Sequence, residues 1–185
     1  MAVTQPTLPP GWNKPCRVMS QINGVVIGLV TNVQDPNLNG RIKVHFPWLD
    51  DQHETDWIRI ATMMGGNGRG SFFMPEVNDE VLVAFDHGDV RFPYVVGFMW
   101  NGQDQPPASD VRIRRIQSVD GHSISFLDAT PSGGSKGAIV IQDAHGNTIT
   151  MSNGKITIKG VAVLELQAPT ITLNGRVVCP NPNPI

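Results

Sequence analysis

The chain has 185 residues, with 14 Lys and Arg against 16 Asp and Glu, a formal net charge of −2. No run of 18 apolar residues occurs, which excludes a membrane-spanning helix, and the balanced charge argues against a general binder of nucleic acid or anionic membranes. With 19 Gly and 15 Pro, and with Val, Ile and Thr recurring, the composition favours short strands joined by turns.

Residues 1–23 contain Pro6, Pro9, Pro10 and Pro15 and read as an extended N-terminal arm, with a short helix over 14–23 as the competing assignment. Nothing at the start has the basic-then-apolar pattern of a secretory signal. Cys16 and Cys179 lie near opposite ends and read as reduced thiols of a chain made in the cytosol. Their separation offers no zinc-site spacing.

Residues 24–102 predict five strands. "GVVIGLVTNV" (24–33) reads as a strand buried on both faces. "QDPNLNG" carries Asp-Pro and Asn-Gly turn chemistry. In "RIKVHFPWL" Ile42, Val44 and Phe46 point one way and Arg41, Lys43 and His45 the other. "WIRIATM" (57–63) alternates again, and "MGGNGRGSF" reads as a flexible loop. Residues 80–85 and 92–100 form two more strands around an "HGD" turn. Five strands with this spread predict a small closed barrel of the oligonucleotide/oligosaccharide-binding (OB) type.

Residues 103–136 read as a linker followed by neck strands, with a turn at Asp120-Gly121. Residues 137–185 repeat one grammar: short strand, tight turn, short strand. Their apolar positions fall in i, i+2 couples: Ile139 and Ile141, Ile149 and Met151, Ile156 and Ile158, Leu164 and Leu166, Ile171 and Leu173. Each couple needs a cover, and no helical segment lies nearby to supply it. A lone meander also leaves strand edges open. The economical cover is the same face of two other copies of the chain, which predicts an intertwined homotrimeric triple-stranded β-helix or β-prism. A β-sandwich packed on the barrel is the competing architecture. Thr148, Thr150, Thr157, Thr170 and Thr172 supply β-branched positions on the outer side.

Candidate chemistry is sparse. Asp50, Asp51, His53, Glu54 and Asp56 form a polar cluster whose spacing matches neither a calcium loop nor an HExxH helix, so it reads as a solvated loop. Asp86, His87 and Asp89 read as a hairpin turn rather than an acid/base pair. "GGNGRG" lacks the Gly-Lys-Ser/Thr ending of a phosphate cradle, and Ser71, Ser118, Ser123 and Ser125 have no nucleophile-elbow context. Phe46, Phe85, Phe92 and Phe98 read as core residues at period 2 rather than stacking platforms for nucleic acid. No catalytic residue, metal site or cofactor is expected. A nucleic-acid- or carbohydrate-binding OB module with an oligomerising β tail is the alternative function. A wall-degrading enzyme using Asp50, Glu54 or Asp86 is a third.

"DPNLNGRIKVHFPW" (35–48), "WIRIAT" (57–62) and "FFMPEVNDEVLVAFDHGDVRFPYVVGFMWNG" (72–102) resemble phage baseplate assembly protein V and the spike part of the valine-glycine repeat protein G family of type VI secretion. "SVDGHSISFLD" (118–128) is similar to the segment leading from barrel to spike in that family. The resemblance implies an all-β homotrimer: three barrels form a collar and the C-terminal strands wind into a rigid spike. It implies a non-enzymatic part of a contractile injection machine, assembled in the cytoplasm and then carried in a virion or injection particle, that pierces a target cell envelope. Its implied partners are two further copies, a baseplate hub protein, tail tube proteins and a PAAR-type tip protein, with no nucleic acid. Without a His-x-His apex, the tail "CPNPNPI" implies a blunt end capped by the tip protein through Val178, Pro180, Pro182 and Pro184.

Overall fold

A computed structural model describes residues 21–49, 53–130 and 134–178. The chain divides into two units, Met1–Gln105 and Pro106–Ile185. Of the helix expected over 14–23, residues 14–20 lie outside the described residues. Residues 21–23 are not helical, and Gln21 instead forms a bridge with Asp89.

The first unit is a closed five-stranded barrel. Its strands are β1 (Val25–Asn32), β2 (Arg41–His45), β3 (Ile58–Ile60), β6 (Glu80–Phe85) and β7 (Pro93–Met99), in the order β1-β2-β3-β7-β6. Only β3 and β7 pair in parallel; the other neighbours are antiparallel. This order and the single parallel seam are those of an OB fold, as the strand count predicts.

Alternation fills the barrel. Ile42 and Val44 of β2, Val81, Val83 and Phe85 of β6, and Val95 of β7 are buried with Val30, Phe46 and Ile58. Ile42 is fully buried. Ile42→Ala should therefore lower barrel stability by about 2–5 kcal/mol, through lost apolar transfer plus a cavity that close packing cannot collapse into. Chemical denaturation of the variant against the parent checks this.

Three expectations are corrected. β1 is not buried on both faces: Val25 and Ile27 are exposed, because a barrel wall is one layer thick and only its inner face meets the core. What makes β1 close-packed is Gly28, where a Cβ would lie 2.3 Å from Val44 Cγ1. Phe92 and Phe98 are not core residues but are 58% and 48% exposed. The register of β6 on β7 shifts between Leu82 and Val83, leaving Val96 as an extra residue, so a period of two counted through β7 fails there. Finally, "GGNGRG" is not a loop without structure. Gly65–Gly66 (β4) and Arg69–Gly70 (β5) pair antiparallel across Asn67-Gly68.

The second unit is built from β8 (Ile113–Gln117), β9 (Ser123–Leu127), β10 (Ala138–Gln142), β11 (Thr148–Ser152) and β12 (Lys155–Lys159). They form one antiparallel meander in chain order. The turns follow the chemistry seen in the sequence. Asn153 and Gly154 both adopt positive φ, 50° and 73°, the primed geometry that a two-residue hairpin between twisted strands demands. β13 (Thr172–Leu173) and β14 (Arg176–Val177) make a separate hairpin. Leu164 and Leu166, expected on a strand face, lie in a stretch with no ladder within the chain.

Candidate assembly face

Cross-strand register decides which side chains share a face. Ile116, Ile124, Ile141, Ile149 and Ile158 stand opposite one another in a single row across all five strands. Two residues along, the next row of the same face reads Arg114, Phe126, Ile139, Met151 and Ile156. Nine of these ten positions are apolar (five in the first row plus four in the second). The opposite face carries Arg115, Ser125, Val140, Thr150 and Thr157 in one row, flanked by Gln117, Ser123, Gln142, Thr148 and Lys159 in another. Ser125 is buried there and accepts a hydrogen bond from Arg115 Nε at 2.8 Å.

In the single chain the apolar face is open. Ile156 is 68% exposed and Ile158 52%, and Ile116, Ile124, Phe126, Ile141, Ile149 and Met151 are exposed as well. Contiguous exposed apolar faces of this extent are the kind that mark interaction sites. Six of the residues singled out in the sequence (Ile139, Ile141, Ile149, Met151, Ile156 and Ile158) are thus brought onto one face. Leu164, Leu166, Ile171 and Leu173 follow outside this sheet. Val178 donates its backbone N–H to the Ile171 carbonyl at 2.7 Å, while Pro180, Pro182 and Pro184 lie outside the described residues. Ile116, Ile124 and Phe126 were missed as members of the face. Ile124 and Phe126 in "SISF" have the same i, i+2 spacing as the later couples, whereas Ile116 has Arg114 and Ser118 two positions to either side and gives no such signal.

The polar rim of this unit is ion-paired. Arg112 Nη2 lies 2.5 Å from Asp110 Oδ2, and its hydrogen bond holds the Asp110 carboxyl down at about 2. Arg114 pairs with Asp128. At the β10–β11 turn, Asp143 accepts from Asn147 Nδ2 at 2.6 Å and from the backbone N–H of His145 and Asn147, which lowers its pKa.

The barrel's polar groups hold structure. Asp35 is buried beneath the β1–β2 turn. It accepts backbone N–H groups of Asn37 and Asn39 and a two-point contact from Arg41, at 2.9 Å from Nε and 2.8 Å from Nη2. The Arg41 hydrogen bond holds its carboxyl well below the usual range. Because the folded value is depressed, this contribution is complete above the ordinary value of 3.8 and is lost as pH falls through the folded value. The barrel's thermal midpoint should therefore drop with acid between about pH 5 and about pH 2, and Asp35→Asn should flatten that dependence while lowering the plateau near neutrality. An unchanged acid limb in a thermal melt of the variant would count against the assignment.

Of the polar cluster at 50–56, Asp50 and Asp51 lie outside the described residues. Glu54 accepts from Lys43 Nζ at 2.5 Å and Thr31 Oγ1 at 2.9 Å, which lowers its pKa, opposite to the shift a proton donor needs. Asp86 and His87 sit in a 3₁₀ turn, Asp86–Gly88, as expected of a connection. Asp89 is held at about 2 by the neighbouring Arg91, which donates through Nε and Nη2. A cleft of about 840 Å³ beside β3 and the start of β7 is lined by Trp57, Arg59, Asp86, Arg91, Phe92 and Tyr94.

Comparison with known proteins agrees with both units. Residues 26–100 match the type VI secretion system/phage-baseplate injector OB domain, and residues 114–178 match the phage baseplate V C-terminal trimerisation domain. The chain is 31% identical over 135 residues to the type VI secretion system spike protein VgrG3 of Vibrio cholerae serotype O1, covering 64% of this chain and 13% of that protein. It is 29% identical over 134 residues to the spike protein VgrG5 of Pseudomonas aeruginosa, covering 70% of this chain and 16% of the relative. VgrG1a of the same species is 35% identical over 74 residues, 37% of this chain and 11% of its own length. The chain thus spans only a small part of the length of these relatives. An OB barrel followed by a one-sided apolar β-sheet, each matched in turn, shows that the chain belongs to the baseplate V/VgrG type of injection-machine spike proteins.

Proposed function

We propose that the chain is the structural, homotrimeric central spike at the baseplate of a phage tail or tail-like contractile injection system. The observation that carries the reading is the apolar face of the β8–β12 sheet, left open by the single chain and lying within the segment that matches a trimerisation domain. Three such faces turned inward cover one another, while the Thr- and Ser-bearing faces meet solvent.

Sheath contraction drives the spike through the target cell envelope by force. The mechanism needs stiffness, and no bond-breaking step. Closing the sheets on one another couples many strands, so no strand loosens without breaking its neighbours' contacts. The barrels join the spike to a hub protein and the tail tube, and the chain end around Val178, Pro180, Pro182 and Pro184 meets a PAAR-type tip protein. The trimer core adds Leu164, Leu166, Ile171 and Leu173 to the sheet residues. Leu164 and Leu166 lie in a stretch with no ladder among the described residues, which suits a segment that pairs with other copies, while Leu173 lies in the β13–β14 hairpin. Assembly takes place in the cytoplasm before incorporation into a particle.

Multi-angle light scattering tests the core of this reading. The full chain, 20.1 kDa, should elute with a mass near three chains and hold it at micromolar dilution. A stable monomer would refute it. Co-purification with hub and tip proteins encoded beside the chain tests the partners.

A further inference from the structure

The apolar face has one exception among its ten positions, and it is a charge: Arg114, in the row of Phe126, Ile139, Met151 and Ile156. Its guanidinium pairs with Asp128, which follows Phe126 by two residues and so emerges on the same side of the sheet. The backbone N–H of Asp128 is itself tied to the Arg112 carbonyl at 2.9 Å, and Arg112 pairs with Asp110. The corner where β8 meets the end of β9 is therefore polar but compensated within the chain, beside nine apolar side chains.

Apolar faces are poor at specifying alignment. Rows of isoleucine stack almost equally well when one copy slides by a row, about 7 Å along the strand, or lies in the reverse direction. Slid contacts do not close and lead to open aggregates, and reversed ones close as two-fold pairs instead of a trimer. A charged pair changes the balance. With copies at the same height, three Arg114 and three Asp128 gather at one level, alternate in sign and keep a route to solvent. In a slid or reversed copy the pair is pressed against a neighbour's isoleucines, where both ions lose hydration without gaining new partners. Hydrocarbon at position 114 would bury more apolar surface, so stability alone does not explain an arginine there.

We propose that the Arg114–Asp128 pair is a register key, which restricts the occupant of this face to two further copies of the same chain, parallel and at the same height. The proposal rests on the trimer reading above.

The test uses the full chain carrying Cys16→Ser, Cys179→Ser and Thr150→Cys, spin-labelled at position 150 on the polar face. Oligomer mass is read by light scattering and label separations by pulsed electron paramagnetic resonance. With the pair intact, a trimer with one narrow separation is expected. Arg114→Met with Asp128→Asn should lose the single separation, giving several separations or species larger than a trimer. The swapped pair, Arg114→Asp with Asp128→Arg, should restore it. A neutralised variant that keeps the trimer and its single separation overturns the proposal. So does one that falls to monomer, because the pair would then supply affinity instead of alignment, and so does a swapped pair that fails to restore the separation. A monomeric background protein refutes the trimer reading itself, a separate outcome visible before any change at 114 or 128.

Discussion

Ile156→Asp is expected to abolish the trimer while leaving a folded chain. Ile156 is 68% exposed in the single chain, on edge strand β12, opposite Met151 of β11. A carboxylate there stays in water as long as the chain is alone, so neither the barrel nor the sheet loses a buried contact. Assembly reverses this. Three carboxylates would be brought toward one axis among isoleucines, each losing hydration worth several kcal/mol and repelling the other two. Summed over three chains, that exceeds what the surrounding apolar contacts return, and association should weaken by several orders of magnitude. Light scattering should find a mass near 20.1 kDa for the variant, with a far-ultraviolet circular dichroism spectrum of strands. Thr157→Asp, one residue on and facing the other side, should keep the parent's mass. A trimer from the Ile156 variant would show that this face does not line the axis.

Gly137→Ala should be the most damaging small substitution in the second unit. Gly137 precedes β10 with φ at +83°, a conformation that L side chains rarely adopt, and its added Cβ would lie 1.8 Å from the Leu127 carbonyl oxygen. That carbonyl belongs to backbone and cannot swing aside. The chain must either move β10 away from β9 or break the pairing of Ala138 with Leu127 at its start. A shift there detaches Ile116, Ile124 and Phe126 from Ile139 and Ile141, dividing the assembly face in two. A loss on the order of 3 kcal/mol or more is expected, from strain and broken ladder together. Hydrogen exchange by mass spectrometry should show faster exchange in β9 and β10, with the barrel core unchanged. Equal protection in β9 and β10 would refute this account.

Much of the barrel was legible because its strands obey simple parity. Ile42, Val44 and Phe46 alternate with charged residues and all three are buried, and the Asp35-to-Gly40 turn is held as its composition implies. Parity failed where the backbone added a residue. Phe92 and Phe98 count as inward together from sequence, yet the extra residue at Val96 lies between them, so the two do not share a face and one count cannot place both. The apolar couples of the assembly face were equally plain. Their extension through Ile116, Ile124 and Phe126 is not marked locally: the segment reads as neck strands separate from the spike, and Ile116 has Arg114 two positions before it, although these strands pair into the same sheet.

The period of each strand, the places where turns interrupt it and the apolar couples on one side of each strand can all be read locally, because all three depend on residues within a few positions of one another. Which strands share a row, that Arg114 stands in a row of apolar residues, and that Gly28 and Gly137 lie against other strands emerge from the folded chain alone. Those facts depend on register between distant segments. Register is set by the hydrogen-bonded ladder as a whole, and a single bulge or close backbone approach changes it without any mark in the local pattern.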